Sequence, residues 1–102
     1  MIGRLMKMTA HPGRGAELAD LLLQVTEHLR DFPGCEIYLI AQDAKDPDTV
    51  RVIEAWQDEE AAQQALTASS PATGPTPADV MTLLAAPPER TDLDLRGGIG
   101  LP

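Results

Sequence analysis

The sequence predicts an α+β fold in which helices pack on a four-stranded antiparallel sheet. Stretches whose apolar residues alternate are typical of strands, and stretches whose apolar residues recur every three or four positions are typical of amphipathic helices. Along the 102 residues these patterns follow the order β-α-β-β-α-(α)-β, separated by turns that contain proline and glycine. This order is the split βαβ arrangement of the ferredoxin-like fold.

The first half of the chain begins with a predicted strand from Ile2 to Thr9, which His11-Pro12-Gly13 ends. One alternating set of this strand contains Ile2, Met6 and Met8, and the other contains Leu5 and Lys7. From Ala16 the apolar residues take the helical period and form one stripe of Leu18, Leu21, Leu22, Val25, Leu29 and Phe32. We therefore expect a long amphipathic helix that continues to Pro33-Gly34.

A hairpin and a second helix follow. Strands are predicted over Cys35–Gln42 and Val50–Trp56, and the turn Asp46-Pro-Asp-Thr49 between them has proline where a type I turn favours it. Asp58 is the expected cap of a helix that ends near Ala68, with acidic residues in its first turn.

The last third of the chain contains a loop, a short helix and a final strand. The loop from Ser69 to Pro77 is rich in residues that break regular structure, and Thr76 is the expected cap of the short helix. The final strand is predicted over Thr91–Leu95, and residues 96–102 are expected to form a flexible tail. At this length we expect residues 1–102 to form a single domain.

Composition and charge argue against several classes of function. A formal net charge of −8, with scattered basic residues, is unfavourable for binding nucleic acid or an anionic membrane surface. No apolar stretch approaches the roughly 18 residues of a membrane span. Cys35 is the only cysteine, which excludes an intramolecular disulfide, and it is expected to be a small buried hydrophobe rather than a nucleophile. We expect a cytoplasmic protein.

The predicted sheet leaves one face uncovered. Two helices can cover only one side of four strands, and the strand Cys35–Gln42 carries apolar residues in both of its alternating sets. We therefore expect a homodimer that pairs through the uncovered face at positions such as Tyr38 and Ile40.

The single tryptophan of the chain marks a candidate site. Glu54 and Trp56 are two residues apart in the third strand, so their side chains lie on the same face of the sheet. An indole can supply an apolar wall and a hydrogen-bond donor, and a carboxylate can take or orient a proton. Two simpler interpretations remain: Trp56 packs in the core, and Glu54 pairs with Arg51 or Arg90.

Five segments occur in a specific order and spacing: Thr9-Ala-His-Pro-Gly13, Pro33-Gly-Cys-Glu-Ile-Tyr38, Asp46-Pro-Asp48, Val52-Ile-Glu-Ala-Trp56 and Glu60-Ala61. In this combination the sequence resembles the antibiotic biosynthesis monooxygenase domain family, over most of its length. The resemblance implies a homodimer whose two sheets form a shared α/β barrel, with a pocket in each subunit between the sheet and the helices. It also implies oxidation of a phenol or hydroquinone to a quinone by O₂, without metal, haem or flavin.

The same resemblance assigns roles to particular residues. Trp56 matches the pocket tryptophan of the family and Glu54 its recurrent strand carboxylate, so both are expected to be catalytic. Tyr38 also matches and is expected to bind substrate, unless it only anchors the fold. His28 borders the apolar stripe of the first helix and is a second candidate for substrate binding, whereas His11 matches a position in a turn. The two histidines lie far apart without a carboxylate or thiolate cluster, so we expect no metal site.

Departures from the family pattern leave three functions open. Many members carry a histidine on the helix after the tryptophan, where this chain has Ala62 or Ala65. The haem-degrading branch has an asparagine near the position of Met6. A cofactor-independent monooxygenase is therefore the leading hypothesis, a non-catalytic dimeric ligand-binding or accessory domain is the alternative, and a haem-binding or haem-degrading protein is the least supported.

Overall fold

The structure, a computed structural model, describes residues 1–68 and 77–101 and confirms the predicted ferredoxin-like α+β fold. Its elements are β1 (Ile2–Thr9), α1 (Gly15–Glu27), β2 (Cys35–Gln42), β3 (Thr49–Trp56), α2 (Glu59–Ala68), α3 (Pro77–Thr82) and β4 (Glu89–Asp94). The strands form one antiparallel sheet in the order β2-β3-β1-β4. The predicted loop from Ser69 and its capping Thr76 lie outside the described residues.

The prediction for the first helix was too long. Helix α1 ends at Glu27, and the backbone continues in tighter turns in which the N–H of Leu29 bonds the carbonyl of Thr26 and that of Phe32 bonds the carbonyl of Leu29. Asp31 then adopts a left-handed conformation with φ of 63°. Leu29 is nevertheless buried, because the turns continue to direct it towards the core. Apolar periodicity alone does not distinguish such turns from a further helical turn.

The strand ends also differ from the prediction. Strand β3 begins at Thr49 rather than Val50, and β4 occupies Glu89–Asp94 rather than Thr91–Leu95. In β4 the added residues pair with β1 through their backbone, in the register Lys7↔Glu89 and Met6↔Arg90. Their side chains are polar, so the alternation of apolar residues carries no signal for them.

Two groups of buried apolar residues lie between the sheet and the helices. The larger group joins β3 to α1, α3 and the segments beside them: Ala10, Leu18, Ala19, Leu22, Val50, Val52, Val80, Leu83 and Leu84. The smaller group joins the end of β3 to α2 and the turn after α1: Leu29, Trp56, Ala61, Ala62 and Ala65. Glu54 lies between Val52 and Trp56 on β3 and therefore separates the two groups.

The hairpin between β2 and β3 holds the start of α1. The Asp48 carboxylate accepts hydrogen bonds from the backbone N–H groups of Gly13 and Gly15, both at 3.1 Å, whereas the residue before the helix, Arg14, provides no side-chain cap. A Cβ on Gly15 would lie 1.9 Å from the Pro47 carbonyl oxygen, so only glycine permits this approach. The capping carboxylate that a helix start needs is thus supplied from a distant turn.

The structure corrects the prediction of which apolar residues lie on the uncovered face. Tyr38 and Ile40 pack against the core on the helix side. The opposite side carries Leu39, Ile53 and Leu5, which are neighbours across β2, β3 and β1 and are 54%, 37% and 39% exposed. The expected apolar face therefore exists, but other residues form it.

Across residues 1–68 and 77–101, no helix combines the length and the apolar character needed to cross a membrane.

Replacing Asp48 with Ala should lower the free energy of unfolding by about 1 kcal/mol, because two backbone N–H groups at the start of α1 lose their acceptor. Urea unfolding measures the change. Asp20→Ala, at an exposed position on the same helix, is the matched control. Equal losses in the two variants would contradict the capping role of Asp48.

Candidate functional site

A row of polar side chains crosses the whole sheet on its helix side. Tyr38 of β2 is opposite Glu54 of β3, Glu54 is opposite Arg4 of β1, and Arg4 is opposite Asp92 of β4. We call these four residues the polar row. The positions on either side within β1 and β3 are the apolar Ile2, Met6, Val52 and Trp56, so the row is a polar band in an otherwise apolar surface.

A cavity of about 230 Å³ opens above the polar row. Its polar lining is Arg4, Glu54 and Arg90. Its apolar and aromatic lining comes from the strands, from the turn after α1 and from the helices: Met6, Met8, Val25, Leu29, Tyr38, Trp56 and Ala65. An apolar cavity with a few polar groups converging on one point is the usual form of a small-molecule site.

Glu54 is the buried acid of this cavity. The residue is 8% exposed, and its Oε1 accepts a hydrogen bond of 2.9 Å from the indole Nε1 of Trp56. The same oxygen lies 3.8 Å from Nη1 of Arg4. The prediction that Glu54 and Trp56 lie on the same face of the sheet is therefore confirmed, and their side chains are in direct contact.

Burial raises the pKa of the Glu54 carboxyl above its ordinary value, because the charged form loses hydration. The hydrogen bond from Trp56 and the charges of Arg4 and Arg90 lower the pKa in part but do not cancel this effect. Glu54 therefore holds a proton to a higher pH than an exposed glutamate. A carboxyl group poised in this way is suited to exchange a proton with a ligand.

Arg4 is the buried cation of the polar row and is only 5% exposed. Three carboxylates surround its guanidinium: Oε1 of Glu54 at 3.8 Å from Nη1, Oε1 of Glu59 at 3.7 Å from Nη2 and Oδ1 of Asp92 at 3.7 Å from Nε. These distances allow electrostatic attraction but are too long for hydrogen bonds. Among the described residues, Nε and Nη2 of Arg4 are buried without a hydrogen-bond partner.

Aromatic rings form the wall beside Glu54. Trp56 contacts Phe32 and Tyr38 edge to face, with ring centroids 6.3 Å and 6.4 Å apart. Burial raises the pKa of the Tyr38 phenol well beyond its ordinary value, and the nearby Glu54 carboxylate raises it further. Tyr38 therefore stays protonated at neutral pH and offers the cavity an uncharged ring.

The structure brings together three of the four candidate site residues. Glu54, Trp56 and Tyr38 line the same cavity, whereas His28 is exposed at the end of α1 and is not among the lining residues. His11 is exposed in the turn after β1. The pairing of Glu54 with Arg51 considered from the sequence does not occur, because Arg51 lies on the other side of the sheet and contacts Asp43 at 3.5 Å.

Cys35 is half-buried beside the smaller apolar group, and burial raises the pKa of its thiol above the ordinary value. The raised pKa opposes formation of the nucleophilic thiolate at neutral pH. The interpretation of Cys35 as a small packing residue is consistent with this environment.

Sequence reasoning missed Arg4 and the cavity-lining role of Arg90. A signal for Arg4 was present, since it shares an alternating set with the apolar Ile2, Met6 and Met8. An arginine in an apolar set needs a buried partner or a ligand. Its partner became visible only when the register placed Arg4 opposite Glu54.

The two helix positions that depart from the family pattern lie at or near the cavity. Ala62 and Ala65 of α2 are both buried, and Ala65 lines the cavity together with Met6 of β1. Neither alanine can carry a proton. In residues 1–68 and 77–101, no three His, Cys, Asp or Glu side chains are grouped so that they could hold a metal ion.

The sequence model of the antibiotic biosynthesis monooxygenase family matches residues 1–70. The chain belongs to this family. The matched segment extends from β1 to the end of α2 and therefore includes Arg4, Tyr38, Glu54 and Trp56. Among curated proteins, none matches the sequence at a significant level.

Solved structures of other proteins share the fold of this chain. A candidate antibiotic biosynthesis monooxygenase from Chloroflexus aurantiacus is 29% identical and has a TM-score of 0.76, with 99% of this chain and 98% of that chain covered. A protein of unknown function from Nitrosomonas europaea is 26% identical, with a TM-score of 0.75 and coverage of 95% and 90%. A cofactor-independent oxygenase from Streptomyces nogalater shares the fold, with a TM-score of 0.72, 16% identity and coverage of 96% and 95%.

Proposed function

We propose that this member of the family is a cofactor-independent monooxygenase that oxidises a phenol or hydroquinone with O₂. The observation that carries the proposal is the buried Glu54 carboxyl, which is held by the Trp56 indole at the polar point of an apolar cavity. Membership of the family and the fold shared with a cofactor-independent oxygenase support the same reaction class.

The reaction requires little from the protein beyond a dry site and a base. Glu54 accepts the phenolic proton, and the resulting phenolate is electron-rich enough to transfer an electron to O₂ itself. With a phenol, one oxygen atom enters the ring as the second quinone oxygen and the other leaves as water with two hydrogens of the phenol. With a hydroquinone, whose ring already carries both quinone oxygens, one oxygen atom enters as a ring hydroxyl and the other leaves as water with two hydrogens of the hydroquinone. No external reductant is consumed in either case. The apolar wall of Trp56, Leu29 and Met6 limits access of water to the phenolate.

A second function, that of a non-catalytic ligand-binding or accessory domain, is favoured by one specific observation. Ala65 lines the cavity at a position where relatives often carry histidine, so the helix side of the cavity lacks a group that moves protons there. Under this alternative the cavity binds its ligand without chemistry. Haem binding or degradation has the least support, because two residues that are typical of the haem-degrading branch are missing. This chain has Met6 and Ala65 at their positions.

We propose further that two copies of the chain pair through the uncovered sheet face. Leu39, Ile53 and Leu5 form one exposed row across that face, and Leu93 of β4, 38% exposed, lies beside it in the next row. Contiguous exposed apolar positions on a sheet are expected to be covered by a partner. A second copy presents the same apolar surface, which permits a two-fold symmetric contact. We also propose a cytoplasmic location, because a chain with a single cysteine cannot form the intramolecular disulfides that are common in secreted domains of this size.

If Glu54 is the base, Glu54→Gln should lower kcat by roughly 100-fold or more with a smaller effect on KM, because the amide keeps the shape but accepts no proton. The assay is oxygen consumption with a panel of phenols and hydroquinones of one or two rings, corrected for spontaneous oxidation. The base must be ionised, so the rate of the parent should fall as the pH drops through the raised pKa of Glu54, and the variant should lose this limb. Trp56→Phe should retain the limb at a reduced rate.

Glu17→Gln, at an exposed position on α1, is the control for the loss of one carboxylate. An unchanged rate in Glu54→Gln would place the base elsewhere. Binding of the panel to the parent protein with no oxygen consumption would instead favour the accessory-domain alternative.

The parent protein should have the mass of two 10.9-kDa chains at micromolar concentration, and Leu39→Asp should shift it to the mass of one. A charge at this position would have to lose its hydration in the dimer. Light scattering coupled to size exclusion measures both. Leu23→Asp is the matched control, because Leu23 is exposed to a similar extent, 50% against 54%, but lies on α1. A monomeric parent, or equal behaviour of the two variants, would contradict the proposed interface.

A further inference from the structure

We propose that Arg4 binds the hydroxyl oxygen of the ligand while Glu54 accepts its proton, so that the cavity selects uncharged hydroxyarenes over carboxylates and over aryl ethers. The inference rests on the proposed function, because it names the class of ligand and a second catalytic residue for the same site. It concerns binding and ionisation of the ligand, both of which occur without O₂.

The first step of the argument is the unsatisfied hydrogen-bonding capacity of Arg4. A guanidinium carries five N–H donors and no acceptor, and buried N–H groups in folded proteins are nearly always paired. Nε and Nη2 of Arg4 are buried without a partner among the described residues, although Arg4 lines the cavity. An oxygen atom of a ligand in the cavity, reached by a small rotation of the side chain, would provide the missing acceptor.

The carboxylates around Arg4 do not replace such a ligand. Glu59 and Asp92 have side chains that are 58% and 66% exposed, so water screens their charges, and both stay 3.7 Å from the guanidinium. Asp92 already accepts a hydrogen bond of 2.7 Å from Nε of Arg90. Glu54 is buried, but its Oε1 is bound to the Trp56 indole. The neighbouring carboxylates therefore attract the Arg4 guanidinium but accept no hydrogen bond from its Nε or Nη2.

The charges of the site favour a ligand that enters uncharged. Arg4 and Arg90 contribute two positive charges, and Glu54, Glu59 and Asp92 contribute three negative charges when ionised. A carboxylate ligand would add a fourth negative charge. A neutral hydroxyl group adds none: its O–H bond breaks, the proton forms an O–H bond with Glu54, and the oxygen anion faces Arg4. The total charge of the site is unchanged while each new charge has an opposite neighbour.

The size of the cavity limits the ligand to a small ring system. Its volume of about 230 Å³ is below the roughly 300–1,000 Å³ that is typical of sites for drug-sized molecules. The Tyr38 and Trp56 rings on the wall are suited to contact an aromatic face or edge. One or two fused rings with a hydroxyl group directed at Arg4 and Glu54 fit this description.

The test uses 4-nitrophenol, an electron-poor phenol that O₂ does not oxidise and whose absorbance reports its ionisation. Its methyl ether, 4-nitroanisole, lacks the proton, and 4-nitrobenzoate carries a permanent charge. Calorimetric titration at a pH where the phenol is neutral gives the three affinities. We expect the parent to bind the phenol at least about tenfold more tightly than the ether or the carboxylate, which is the usual value of one hydrogen bond to a charged group.

The variants Arg4→Gln and Arg4→Lys separate a direct contact from a purely structural role. If Arg4 contacts the phenol oxygen, the absorbance titration of bound 4-nitrophenol should give a pKa at least about one unit higher in Arg4→Gln than in the parent. Arg4→Lys should restore part of the difference, because it keeps the charge. Arg14→Lys, at an exposed arginine outside the cavity lining, should change nothing. Arg4→Lys alone decides the matter if Arg4→Gln fails to fold.

Two results would overturn the inference. Equal affinity of the parent for 4-nitrobenzoate and 4-nitrophenol would mean that the site binds anions, and an unchanged pKa of the bound phenol in both Arg4 variants would make Arg4 only a counter-charge for Glu54. Failure of the proposed function is distinguishable: it leaves the Arg4-dependent ionisation intact and removes only the oxygen consumption with hydroquinones.

Discussion

The buried ion pair between Arg4 and Glu54 is the constraint on which the rest of the structure depends. The two residues are opposite each other on the central strands β1 and β3 and are 5% and 8% exposed. Taking two charges out of water costs several kcal/mol for each, and each charge limits the cost of the other only if both are present. A slip of one residue in the register would move one of them to the other side of the sheet, so the pair specifies the alignment of the strands. The same pair makes one point of an apolar cavity polar, and that point is where the proposed chemistry occurs.

Much of this arrangement could be predicted from the sequence, because strand periodicity is a local property. The bounds of β1 and β2 follow from apolar stretches next to proline and glycine, and the common face of Glu54 and Trp56 follows from the two-residue period of a strand. The cap of α2 was also readable: Asp58 accepts a hydrogen bond of 2.8 Å from the N–H of Ala61, as expected for an acidic residue before a helix. Each of these features is decided by residues close together in the chain.

The features that could not be predicted depend on contacts between distant segments. The partner of Glu54 is 50 positions away, and only the pairing of β1 with β3 identifies it as Arg4. Strand β2 is apolar in both alternating sets, so its sequence does not show which set faces the helices, and the register shift between Cys35 and Ile37 obscures the alternation further. The structure turns Tyr38 towards the cavity and Leu39 towards solvent. The cavity itself is lined by strands, helices and a turn whose arrangement no local pattern specifies.

The central claim is that Arg4 and Glu54 each offset the cost of burying the other's charge. The free energy of unfolding of Arg4→Met, alone and combined with Glu54→Gln, tests it most directly. Glutamine keeps an acceptor for the Trp56 indole. The account predicts that Arg4→Met alone loses about 3–5 kcal/mol, because Glu54 becomes an unpaired buried charge, and that the double variant regains most of this loss. A double variant as unstable as Arg4→Met alone would contradict the account, since the loss would then not come from an unpaired charge on Glu54.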